Sequence, residues 1–171
     1  MVRVAHFIKA RDIQVFLLLN RRLQCLFLDV LMQSFTQLGS FIFAIVLPLF
    51  LYFTGRRDLV DLSVRMAAIL IVSQIIVQLV KRIVNRPRPF KVLENVIAKR
   101  PPTCKYSFPS GHTCAAFSLA FVLANGLPGF GTIFYSIASM VGLSRIYLGA
   151  HYPTDILVGY FTAYASFLLI S

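Results

Sequence analysis

Toward the C-terminus His151 and Asp155 stand four residues apart, with Pro153 between them and Arg145 six residues upstream of the histidine. Proline suits a first helical position, and a helix started there sets the two side chains on one face. The carboxylate can then accept from one imidazole nitrogen, which fixes the tautomer and leaves the other nitrogen free as nucleophile or base. A lone His-Asp pair would read as two satisfied interfacial side chains; Arg145 on the same rim turns the balance toward chemistry. A second cluster, Pro109-Ser110-Gly111-His112, precedes an apolar run. Ser110 is a natural N-cap there, and the amides after it form an anion site favoured by the helix dipole. Gly111 lets a ligand approach the backbone and His112 brings an acid into the first turn. Lys81, Arg88 and Arg145 add fixed cations that can hold a dianion while negative charge moves to a leaving oxygen.

These residues must be positioned by helices in lipid. Of the 171 residues 58% are apolar and 13% charged, and mean hydropathy is +0.77, against ~45–50% apolar and ~25% charged in soluble domains. Lys and Arg number 17 and Asp and Glu 6, a balance that calls for an anionic partner. Nucleic acid is excluded as that partner, because the apolar runs leave too little polar surface for a solvated basic face. Phosphate in or near a membrane fits. The odd set Cys25, Cys104 and Cys114 reads as free thiols. Lys9, Arg11 and Asp12 interrupt the N-terminal apolar run, so no removable signal peptide is expected.

A crossing helix needs ~20 mostly apolar residues. The segment 1–22 is too charged for that and suits a helix lying in the interface. Five spans are predicted: Leu23–Phe53 as one long tilted helix, since a split at Gly39 leaves pieces too short to cross; then about Asp61–Val84, Ser110–Asn125, Phe130–Leu148 and Pro153–Ile170. Arg65 can pair with Asp61 one turn back. The prolines of Asn85-Arg86-Pro87-Arg88-Pro89 end the second span and open a basic loop, 86–108. The predicted architecture is all-α: a single-domain, multi-pass transmembrane bundle over 1–171. Counting spans puts Lys81, Arg88, Ser110, His112, Arg145, His151 and Asp155 on one membrane face, where ionisable groups are expensive enough to be read as functional. Arg82, Arg86, Lys91, Lys99, Arg100 and Lys105 read as cations reaching toward headgroups. His6, Asp29, Cys104 and Cys114 read as structural or incidental.

Lys81, six residues, Arg88-Pro89; Pro109-Ser110-Gly111-His112; and Ser144-Arg145, five residues, His151, three residues, Asp155 together resemble the three-part signature of the type-2 phosphatidic acid phosphatase family, of the same superfamily as the vanadium haloperoxidases. The resemblance covers residues 81 to 155, and the surrounding apolar helices look like the bacterial membrane members, among them phosphatidylglycerophosphate and undecaprenyl diphosphate phosphatases. It implies that His151 attacks phosphorus to form a phosphohistidine with Asp155 orienting it. His112 would protonate the departing oxygen and later activate water, while Lys81, Arg88, Ser110, the Gly111 amide and Arg145 hold phosphate oxygens. Neither metal nor cofactor is implied. Family members commonly have six spans, and here the interfacial segment takes the place of the first.

Rival readings fit less well. Ser110, His151 and Asp155 could form a hydrolase triad on a lipid ester, but Ser110 is not in a Gly-x-Ser-x-Gly elbow and acyl transfer has no use for three added cations. An anion pathway would repeat its cations through the spans instead of gathering them at one rim. A soluble haloperoxidase is incompatible with five apolar spans. The expected substrate is a polyprenyl diphosphate, with phosphatidylglycerophosphate or phosphatidic acid as the alternative, because the loop from Lys91 to Lys105 suits a second phosphate. Positive-inside counting puts the motif face in the cytoplasm, whereas the resemblance implies the extracytoplasmic face of the cell membrane, which is preferred here because many of those charges can serve substrate binding.

Overall fold

The computed structural model describes residues 2–99, 101 and 104–170, and side chains from Phe7 onward, so Arg3, His6 and Arg100 lie outside what can be described. Eight helices follow in chain order: α1 Val2–Arg22, α2 Leu26–Gln37, α3 Phe41–Phe53, α4 Arg57–Val84, α5 Pro89–Val92, α6 Gly111–Gly126, α7 Gly131–Tyr147 and α8 Pro153–Ile170. The all-helical, multi-pass reading holds, and four of the five predicted spans are each a single helix.

α6 is the axle. A helix that is apolar all round belongs inside, and each residue from Thr113 to Val122 is buried, sheathed by α3, α4, α7 and α8. Met66, Ile69 and Leu70 of α4 pack on Ala115 and Leu119, while Ala138 and Val141 of α7 and Ala163 of α8 close the other side. Outward, the bundle presents Phe41, Phe53, Ile71, Ile83, Phe161 and Leu169, all exposed. Such a belt suits hydrocarbon and would be an aggregation hazard in water. α4, with 28 residues, and α8, with 18, are long and apolar enough to cross a bilayer. α6 and α7, with 16 and 17 residues, stand beside them, α6 inside the bundle and α7 on its flank with Ile133, Tyr135 and Leu143 exposed.

The first span departs from expectation. Leu23–Phe53 is not one tilted helix: α2 and α3 meet at a break with a 55° bend and reach spanning length and hydropathy only together. Ser40 caps α3, its side chain accepting from the Phe43 amide at 3.2 Å. The bend sits where Gly39 approaches α6 so closely that a Cβ would lie 2.7 Å from the His112 carbonyl oxygen and 2.6 Å from Val141. Contact with the core, not length, decides where this helix stops.

α1 is built into the polar end of the bundle. Asp12, Phe16 and Asn20, spaced four apart on one face, are all buried. Phe16 packs with Ile146 and Tyr152, and the Asn20 amide donates to the carbonyls of Tyr147 at 2.8 Å and Ile97 at 2.9 Å.

Candidate active site

Four helix ends and one loop converge at the polar end. α4 stops at Val84 because Asn85 turns left-handed (φ 50°) and its amide caps the Lys81 carbonyl at 3.1 Å. The chain then runs through Arg86 to Arg88 and returns at Tyr106, where Pro87 and Tyr106 form an isolated antiparallel bridge. Ser110 caps α6 as expected, its hydroxyl accepting from the Thr113 amide at 3.3 Å and the Thr113 hydroxyl at 2.9 Å. Pro153 occupies the first position of α8.

A cleft of about 570 Å³ collects Lys81, Arg88, Gly111, His112, Arg145 and His151 along its polar end. Ser110 and Asp155 are fully buried behind it. All eight predicted site residues therefore lie at one end of the bundle, six of them on the cleft. Cys104, read as incidental, also lines it.

The electrostatics are one-sided. Lys81, Arg88 and Arg145 are 5%, 2% and 4% exposed, and among the described residues none has a carboxylate partner. Neutral oxygens hold them: Tyr106 carbonyl for Lys81 at 3.2 Å, Cys104 and Ala150 carbonyls for Arg88 at 2.7 and 2.9 Å, and the Thr36 hydroxyl for Arg145 at 2.6 Å. Arg145 Nε is buried with no partner. Three desolvated positive charges without an acid are costly unless the site serves an anion.

His151 is oriented by the same cations. Arg88 Nη1 lies 3.1 Å from His151 Nε2, and a guanidinium can only donate, so Nε2 carries the lone pair and Nδ1 the proton. Burial, together with Arg88, Arg145 and Lys81, holds this imidazole well below its ordinary pKa of 6.5. The ring is thus neutral with its lone pair at the cleft. Nδ1 faces Asp155 Oδ2 at 3.4 Å without a hydrogen bond, which corrects the expectation that the carboxylate accepts from the imidazole. Oδ2 instead accepts from the Tyr152 amide at 2.9 Å, and His151 lies outside α8, so the two residues do not share a helix face.

Two headgroup cations are also corrected. Arg86 pairs with Asp12 at 2.6 Å and Asp155 at 2.7 Å. Lys99 pairs with Asp29, which also accepts from the Tyr147 hydroxyl at 2.5 Å. Both are held because the loop folds back over α1 and α2. Asp61 and Arg65 are exposed and form no ion pair among the described residues. Asp12, Asn20 and Thr154 were missed by sequence reading, although a lone acid on the buried stripe of a cationic helix was a usable signal.

The profile of the PAP2 superfamily matches residues 62–171. The chain belongs to the PAP2 superfamily. That agrees with the signature read from residues 81 to 155. Among solved PAP2-like structures, Aquifex aeolicus LpxE has a TM-score of 0.78 at 30% identity, covering 92% of both chains. A transmembrane PAP2 type phosphatidylglycerolphosphate phosphatase from Bacillus subtilis, 23% identical with a TM-score of 0.73 over 95% of this chain and 84% of that one, speaks for the fold. By sequence, the chain is 32% identical over 116 residues to the bacitracin transport permease protein BcrC of Bacillus licheniformis, covering 67% of this chain and 57% of that protein. It is 26% identical over 162 residues to an undecaprenyl-diphosphatase of Sulfolobus acidocaldarius, covering 93% of this chain and 77% of the other. The chain thus spans little more than half of the Bacillus licheniformis protein, and 39% of a Rhizobium etli lipid A 1-phosphatase to which it is 34% identical.

Proposed function

We propose that this PAP2 protein is a membrane lipid phosphatase working without a metal through a phosphohistidine at His151, most readily on a polyprenyl diphosphate. The observation that carries the reading is the cleft itself: an imidazole whose Nε2 lone pair lies at the cleft beside Arg88, a second imidazole, and three buried cations without acids among the described residues. His151 Nε2 attacks phosphorus in line while His112 gives its proton to the departing lipid oxygen. Water, deprotonated by His112, then attacks the phosphohistidine and releases phosphate. Lys81, Arg88 and Arg145, with the Gly111 amide at the positive end of α6, hold the charge on the phosphoryl oxygens. Ser110 supports the amide by capping α6, and Asp155 supports the imidazolium character that His151 acquires. Fixed cations can do this work alone and would repel Mg²⁺.

A lipid is favoured because the cleft continues as an apolar wall of Ala44, Ile45, Leu70 and Ile71, shared with a second cavity of about 300 Å³ between α3 and α4. A diphosphate is favoured by relatives named undecaprenyl-diphosphatase, and exposed Lys91 and Lys105, which have no ion-pair partner among the described residues, can serve a second phosphate. The serine esterase reading loses support, since the Ser110 hydroxyl is fully buried and engaged by Thr113. We place 1–22 in the membrane interface as part of one domain, with the site at the extracytoplasmic face. Phosphate release from isoprenoid and glycerolipid phosphates in detergent tests the reading: activity surviving EDTA and absent in His151→Ala is expected, and strict Mg²⁺ dependence would refute the chemistry.

A further inference from the structure

Behind His151 lies a four-residue ion cluster that joins the N-terminal helix to the site. Arg86 Nη2 donates to Asp12 Oδ2 at 2.6 Å, and Nη1 donates to Asp155 Oδ1 at 2.7 Å and to the Thr154 hydroxyl at 2.7 Å. Thr154 in turn gives its hydroxyl proton to Asp12 Oδ2 at 2.6 Å and its amide to Asp12 Oδ1 at 2.9 Å. The guanidinium also stacks 3.9 Å from the centre of the Tyr152 ring. Asp12 is 4% and Asp155 0% exposed, so these charges act on one another with little screening by water.

The charge count is informative. Arg86 and Asp155 alone would be a neutral pair, and the carboxylate would have little field left for His151. Asp12 supplies a second negative charge, so the cluster carries one net negative charge, and its face toward the imidazole is Asp155 Oδ2, 3.4 Å from His151 Nδ1. We propose that Asp12 is a positioning residue for His151: by taking up the charge of Arg86, it leaves the Asp155 carboxylate free to stabilise the imidazolium character that develops as His151 bonds phosphorus. Asp12 also caps α8, accepting the Thr154 amide that the helix cannot satisfy. The N-terminal helix is therefore part of the reacting centre's charge balance, while touching neither substrate nor the reacting atoms.

This inference rests on the phosphohistidine reading, and the experiment separates the two. Asp12→Asn keeps the shape and, through its amide oxygen, the cap on Thr154, while removing the charge and the Oδ2 acceptor; Arg86→Gln removes the opposite charge; the double variant restores one net negative charge. Folded protein is counted as the monodisperse peak in detergent, and phosphate release is measured from the lipid panel. Asp12→Asn is expected to lower kcat about 10- to 100-fold, the size of losing one charge at a few ångströms in a partly shielded site, with KM within about twofold. The double variant should recover kcat above either single variant, because charge balance and not contact is restored. A wild-type kcat in Asp12→Asn, a loss confined to KM, or losses that multiply in the double variant would each overturn the inference. Failure of the wild-type protein to release phosphate from any lipid would instead overturn the functional reading.

Discussion

The two ends of the bundle treat charge in opposite ways. At one end Asp12, Lys81, Arg88, Arg145 and Asp155 are buried and held by hydrogen bonds from five different segments. At the other, Arg56, Arg57, Asp58, Asp61 and Arg65 are exposed and none joins an ion pair among the described residues. Arg65 merely borders a cavity of about 100 Å³ beside Asn125. The lesson is that a charge near a bilayer declares its role by its partners: where water or headgroups can solvate it nothing holds it, and where it is buried the fold has been organised around it.

Substitutions can break this contrast, beginning with the largest effect. His151→Ala should lower phosphate release by at least about 10⁴-fold, since the nucleophile that carries the phosphoryl group is lost. Residual turnover near wild type would mean the polar end is not where the chemistry occurs. Next, Arg145→Gln should reduce kcat/KM by about 10²–10³-fold, the usual cost of one donor aimed at developing charge; steady-state kinetics on the preferred lipid measures it.

Glycines sharpen the comparison structurally. A methyl at Gly39 meets the His112 carbonyl at 2.7 Å, whereas one at Gly126, at the opposite end, meets the flexible tip of Leu62. Gly39→Ala should cost about 1–3 kcal/mol of stability, and Gly126→Ala within about 0.5 kcal/mol, by thermal unfolding in one detergent. Titration extends the same idea. Because folding holds His151 below its ordinary pKa of 6.5, the unfolded chain binds a proton that the folded chain refuses. Its contribution is therefore intact above pH 6.5 and is lost as pH falls below it, by up to about 1.4 kcal/mol per pH unit. The pH slope of unfolding should be shallower by that one proton in His151→Gln. Smallest of all, Arg65→Gln should leave activity and stability unchanged, within about 0.5 kcal/mol.

Much of the polar end was legible in the sequence because spacing encodes it. The Ser110 cap, the Pro153 start of α8 and the gathering of Lys81, His112, Arg145 and His151 at one end all follow from periodicity and span counting. What spacing cannot encode is pairing across the fold. Arg86 and Lys99 looked like headgroup cations because their acids, Asp12 and Asp29, lie 74 and 70 residues away in the chain. Similarly, the break at Gly39 is set by a contact with His112 in another helix, and hydropathy along Leu23–Phe53 contains no trace of it. The lack of a hydrogen bond between His151 and Asp155 is local instead: α8 begins only at Pro153, and Asp155 Oδ2 accepts from the Tyr152 amide three residues back.

The bend between α2 and α3 has a kinetic consequence. It tips α3 so that the apolar side of the cleft borders α4 within the lipid-facing belt, and a molecule reaching the cations by that route keeps its tail in the leaflet throughout. Encounter is then a two-dimensional search, and turnover should follow the mole fraction of substrate in the surface, falling as inert amphiphile dilutes it even when bulk concentration is fixed.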